Sequence, residues 1–141
     1  MRTLISIAPL ACVLAVSAAI AATAPPAELN TMRTAFAAAL AAKDIKTLAK
    51  MSSFPLAIVV YQMPPSLTEK DFLKSKGGDL DYADAGEQHC IAHDAPELQD
   101  AKSASDKRFA NAWAVNCNGN IFYFAQRKGA WLYIGYENIN E

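Results

Sequence analysis

The stretch from Phe109 to Asn138 constrains this chain most, because two dipeptides within it set both its connectivity and its faces. Two apolar runs meet at Asn118-Gly119, the pair that most readily supplies the two positive φ angles of a type I′ hairpin. Phe109 to Cys117 is therefore predicted to pair with Asn120 to Gln126. Lys128-Gly129 turns the chain again and lays Trp131 to Asn138 alongside. With a two-residue loop at Asn118-Gly119, Cys117 faces Asn120, Val115 faces Phe122, Trp113 faces Phe124 and Asn111 faces Gln126. Carried through Lys128-Gly129, the register adds Trp131, Tyr133 and Gly135 to that aromatic face. The other face collects Ala110, Ala112, Ala114, Ile121, Tyr123, Ala125, Leu132, Ile134 and Tyr136. A sheet apolar on both sides needs a cover on each. One helical layer supplies one of them, so the expectation for the second is a homodimer, with Tyr123, Leu132, Ile134 and Tyr136 as the dimer face.

Met1 to Ala21 has the three parts of a secretory signal peptide: Arg2, the uncharged run Leu4 to Val16, and the A-x-A site Ala19-Ile20-Ala21. The run is short for a bilayer span. Cys12 lies inside it, after a poor leader for lipid attachment, and leaves with it. The reading is a signal peptide at 1–21, one domain at 22–141, and a periplasmic or secreted destination with no membrane association after cleavage. Without Arg2 the chain carries 12 basic and 14 acidic groups, a net charge near −2 with no basic cluster. That argues against nucleic acid and anionic lipid as partners.

Cys90 and Cys117 are then the two cysteines left, and an oxidising compartment makes a disulfide their simplest state. A buried free pair and a redox pair are the alternatives, the latter without C-x-x-C spacing. The polar stretch between them centres near Ser103. A strand at His89 to Ala92 is predicted to return antiparallel to Phe109 to Cys117 and bring the sulfurs together.

Upstream, Leu29, Met32, Phe36 and Leu40 make the stripe of a helix from about Ala27 to Lys43. Asp44 caps a second helix, Ile45 to Ser52. After Ser53-Phe54-Pro55, Leu56 to Tyr61 reads as a strand that Pro64-Pro65 ends. Ser66 and Glu69 form a capping-box pattern for a third helix, Leu67 to Lys74, stopped at Gly77-Gly78. Asp79 to Glu87 reads as an acidic loop and Gln88 to Ala92 as a strand.

This order is α+β, with N-terminal helices packed on a curved C-terminal antiparallel sheet. Together with Phe36-Ala-Ala-Ala-Leu-Ala-Ala-Lys-Asp44, Ser66-Leu-Thr-Glu-Lys-Asp-Phe-Leu73 and Trp131-Leu-Tyr-Ile-Gly-Tyr-Glu-Asn138, it resembles the NTF2-like superfamily, which includes SnoaL-like and ketosteroid-isomerase-like domains. The resemblance spans nearly all of 22–141 and implies a cone of sheet around helices, an apolar cavity at its open end, and frequent dimers through the outer sheet face. It transfers no catalytic motif position by position, since fold alone does not fix activity.

The residues themselves specify no reaction and call for no cofactor. His89 and His93, the two histidines, are spaced H-x-x-x-H. That spacing chelates a metal on a helix, but on a strand it sets the residues about 13 Å apart. With a strand or loop here, no metal is expected. His93-Asp94 has no nucleophile beside it. Tyr61 and Asp71 offer an oxyanion donor and a base for isomerase- or dehydratase-like cavity chemistry, and equally a strand-end Tyr and a helix-start Asp. Tyr61, Trp113, Phe122, Phe124, Trp131 and Tyr133 are the candidate lining of an apolar pocket, or plain core. Two functions follow: non-catalytic binding of a small apolar molecule inside the cone, or binding of a protein partner, as a periplasmic inhibitor or immunity-type protein does, through the acidic loop or a sheet face.

Overall fold

Helix α1, Ala27–Ala41, buries one stripe of an alanine-rich segment, and the computed structural model, which describes residues 23–140, builds outward from it. The predicted leader, Met1 to Ala21, and Cys12 lie outside the described residues. The buried stripe runs Leu29, Arg33, Phe36, Ala37 and Leu40, while Met32 is only half-buried. Asp44 caps α2, Ile45–Lys50, by accepting from the Thr47 amide, as its position before an apolar turn predicts.

Strand β1 is Ser52–Val59, so Ser53-Phe54-Pro55 lies inside the strand expected to begin at Leu56. The Phe54–Pro55 bond is cis. Residues Ser66–Leu67 form β2, a short edge strand on β1, and α3 begins later, at Glu69–Lys74. The expected Ser66 cap is corrected to Thr68, whose hydroxyl accepts from the Asp71 amide at 3.2 Å and donates to the Asp71 carboxylate at 2.7 Å. Both hydroxyl residues stand three before a carboxylate of the first turn, but Ser66 is paired with Ala57 in β2, which leaves Thr68 at the helix start.

The largest correction concerns 79–93. A 3₁₀ turn at Gly78–Tyr82 leads into α4, Ala85–His93, where a loop and a strand were expected. The cause is local: Asp84 accepts from the Glu87 amide at 2.9 Å while the Glu87 carboxylate accepts from the Asp84 amide at 3.3 Å, a complete capping box. Short β3, Glu97–Leu98, then stands in the antiparallel place beside β4, Trp113–Cys117.

Strands β5, Asn120–Arg127, and β6, Ala130–Asn138, complete a six-stranded open sheet in the order β2-β1-β6-β5-β4-β3, antiparallel except where β1 runs parallel to β6. The fold is thus α+β, helices preceding a mostly antiparallel sheet. Both turns are two-residue loops with positive φ throughout, Asn118 and Gly119 in one, Lys128 and Gly129 in the other. The β4–β5 register is as the first turn dictates, with Trp113 opposite Phe124 and Val115 opposite Phe122. Phe109 to Ala112 do not extend β4: 107–109 is a 3₁₀ turn and Asn111 has φ 63°, so the Asn111–Gln126 pair does not form.

On β6 the register holds through Leu132 and Tyr133 and then slips. Tyr133 faces Phe124, but Gly135 faces Tyr123 and Tyr136 faces Phe122. A bulge at Ile134–Gly135 therefore moves Tyr136 to the helix-covered face and Glu137 to the outer one. The outer face is covered by the chain itself. Segment 99–112 folds over it, with Phe109 stacked on Tyr123 at 3.7 Å and 4° between planes. Tyr123 and Ile134 are buried, and Leu132 is half-buried. Of the residues expected on a dimer face, Tyr123 and Ile134 pack within the chain against Phe109, Ala104 and Ala112, and Tyr136 lies on the helix-covered side instead.

Gly135 makes that cover possible, because a Cβ there would overlap the Ala57 carbonyl oxygen of β1 and the Phe109 ring. Gly135→Ala should destabilise the fold by about 2 kcal/mol, as overpacking against backbone does. Urea unfolding read by both fluorescence and circular dichroism checks it.

Candidate functional site

The proposed pocket residues are brought together, but as core. Phe124 and Tyr133 are at most 1% exposed, and their rings lie 5.5 and 5.0 Å from that of Phe36. Trp113 and Phe122 are buried in the same cluster and Trp131 is half-buried against it. Tyr61 stands apart, 73% exposed beyond the end of β1. Nor do Tyr61 and Asp71 form an acid–base pair, since the Asp71 carboxylate is taken up by the Thr68 cap.

The open space lies elsewhere, at the ends of α4. One groove of about 410 Å³ runs between α4 and the β4–β5 turn, lined by Asp84, Gly86, Glu87, Asp94, Asn118 and Asn120 and by the two half-cystines. A second, of about 550 Å³, is lined by Asp94, Glu97, Gln99, Asn116, Ile121 and Tyr123 with Ala95 and Ala114. Asp94 borders both. Four carboxylates line the pair of grooves, those of Asp84, Glu87, Asp94 and Glu97, and neither lining includes Lys or Arg.

Three devices fix α4 beneath these grooves. Cys90 and Cys117 are joined, with Cα atoms 5.8 Å apart, so the predicted disulfide is present and ties the middle of α4 to the end of β4. The capping box fixes its start, and Glu87 also accepts a hydrogen bond from Asn120, which in turn accepts from the Tyr136 hydroxyl at 2.6 Å. At its end, the Arg33 guanidinium, 1% exposed, donates to the Ile91 carbonyl at 2.9 Å, the Asp94 carbonyl at 2.5 Å and the Asn30 side chain at 3.2 Å. A cation here satisfies carbonyls a helix leaves unpaired and complements the negative end of its dipole. Burial pushes the Arg33 pKa below its ordinary value, and the nearby Asp94 charge opposes that shift. Arg33 was missing from the expected site although its spacing pointed to it: it falls on the Leu29–Phe36–Leu40 stripe, where a charge without a partner is costly.

Beside the second groove the Tyr123 hydroxyl donates to Glu137 at 2.5 Å, and Ser105 donates to the same oxygen at 2.7 Å. Burial, then the hydrogen bond to Glu137, raise the Tyr123 pKa well above its ordinary value, and burial does the same for Tyr133. A phenol held protonated in the fold contributes stability that is complete below the unfolded phenol pKa, about 10, and is lost as pH climbs beyond it. Just above that pH, the tyrosinate absorption of the folded protein should therefore be unchanged by Tyr123→Phe or Tyr133→Phe. A smaller amplitude in either variant before unfolding would show that phenol to be titrating in the fold.

His89 and His93 sit one turn apart on α4, both exposed, with ring centroids 4.6 Å apart. Among the described residues no group of three or more His, Cys, Asp or Glu side chains is disposed to hold a metal, and no helix is long and apolar enough to cross a membrane. Comparisons with models of protein families, with curated proteins and with solved structures find no match to this chain.

Proposed function

We propose that this chain is an extracytoplasmic, non-catalytic binding domain on an NTF2-like frame, and that it takes a cationic segment of a protein partner on the acidic face where the two grooves meet. The observation that carries this reading is the groove lining itself, four carboxylates and no basic side chain around the shared residue Asp94. Complementary charge of this kind steers association and sets specificity. The open edge of β3, with Leu98 about half exposed, adds main-chain groups and an apolar contact beside the second groove. A small apolar ligand in the cone is the weaker reading, because the candidate lining is filled by its own rings around Phe36. The disulfide and the predicted leader both fit an oxidising destination, periplasmic or secreted.

A lysine-rich peptide titrated into the protein at low salt, followed by amide resonances, tests this. Shifts should centre on 84–99 and 116–121 and fade as salt screens the charges. The double variant Asp94→Asn, Glu97→Gln should weaken binding by about tenfold, the loss of a few rim charges. An unchanged spectrum would overturn the proposal. Stoichiometric uptake of a long-chain fatty acid with shifts at Phe36, Phe124 and Tyr133 would put the apolar-ligand reading in its place.

A further inference from the structure

We propose that His89 and His93 form a surface chelate for a late divalent transition metal, held by two imidazoles with water in the remaining positions. The spacing that would separate these rings on a strand brings them onto one face of α4, where i and i+4 side chains are neighbours. Their centroids lie 4.6 Å apart with 45° between planes. Among the described residues neither imidazole makes a hydrogen bond to the protein, so neither ring is committed to a structural role. Both are exposed, so water and metal reach them.

The backbone carrying the pair is fixed in advance. Cys90, adjacent to His89, is tied to β4, and the Arg33 guanidinium holds the carbonyls of Ile91 and Asp94 on either side of His93. A helix end that would otherwise fray is clamped, so binding a metal orders only the two side chains. Imidazole suits zinc, copper and nickel, and affinity among them should follow the usual order, Cu(II) above Ni(II) and Zn(II). Two protein ligands make this an open site, in contrast to a closed structural zinc site with four.

These are the chain's two histidines, so ring resonances report the site without overlap. Zinc chloride titrated into the oxidised protein near neutral pH should shift both rings in parallel at one metal per chain. In His89→Gln or His93→Gln, the remaining ring should need at least about tenfold more zinc, since the second ligand no longer acts at high effective concentration. Amide spectra of the variants establish that α4 is intact. Rings that respond independently, with the same zinc dependence in wild type and single variants, would overturn the chelate, as would the absence of any shift at millimolar zinc. This test is independent of the acidic grooves, whose peptide titration uses no metal.

Discussion

Arg33→Ala should destabilise the oxidised protein by about 4 kcal/mol. Two effects oppose each other. Removing a buried guanidinium relieves its desolvation, the same burial that lowers its pKa. Against this, hydrogen bonds from a charged donor contribute about 1.5–3 kcal/mol each, the Ile91 and Asp94 carbonyls lose their donor, and truncation leaves a cavity between α1 and α4. The second set wins because the two carbonyls lie at a helix end, where among the described residues Arg33 is the donor that reaches them. Arg33→Met separates the terms: it keeps most of the volume and should cost about 2 kcal/mol through the carbonyls alone. If the methionine variant matched wild type in urea unfolding, desolvation would have offset the hydrogen bonds and Arg33 would not hold α4. With domain stabilities of about 5–15 kcal/mol, the alanine variant sits near the threshold of folding.

Removing the disulfide ranks next. Cys90 and Cys117 are 27 positions apart, and closing a loop of that length constrains the unfolded chain by about 3 kcal/mol in the loop-entropy description. The double variant Cys90→Ala, Cys117→Ala should lose about that much, measured by urea unfolding beside the oxidised parent. Amide exchange should quicken first in α4, whose middle is tied there. Uniform exchange with an unchanged midpoint would show that Arg33 and the capping box suffice without the bridge.

The strand meander was legible because turn chemistry and alternation speak for the same register: Asn118-Gly119 and Lys128-Gly129 both adopt the left-handed angles their sequences favour. The disulfide was legible from the count of cysteines once the expected leader, with Cys12, is set aside. The helix at 85–93 was misread because His89 to Ala92 is too short a run for periodicity to decide, and the signal that decides it lies upstream, in the Asp84 and Glu87 box. With that helix the histidine pair changes meaning, since four residues span one helical turn rather than an extended stretch. The bulge at Ile134–Gly135 had a glycine as its only mark, and one residue of slip is enough to send Tyr136 inward. The acidic grooves were half visible: the charges of 79–87 stand together in the sequence, but Asp94 and Glu97 join Asp84 and Glu87 only once 85–93 is a helix. Phe109 was assigned to a strand, and its stacking on Tyr123 depends on a 3₁₀ turn with no strong local signature.

The order of the strands sets a timetable for synthesis. β6 lies between β1 and β5, so an inner strand of the sheet is the last of the six to be translated. Until residues 130–138 emerge, β1 has only the two-residue β2 to pair with, and the hairpin of β4 and β5 has no bond to the N-terminal half of the sheet. The nascent chain can form α1 and the first hairpin, yet it has no continuous sheet on which to lay them. The pairing of β1 with β6 that closes the sheet spans most of the described sequence, a slow class of topology to form. A chain from which residues 130–138 have not yet emerged holds helices and a hairpin but lacks the strand that joins β1 to β5.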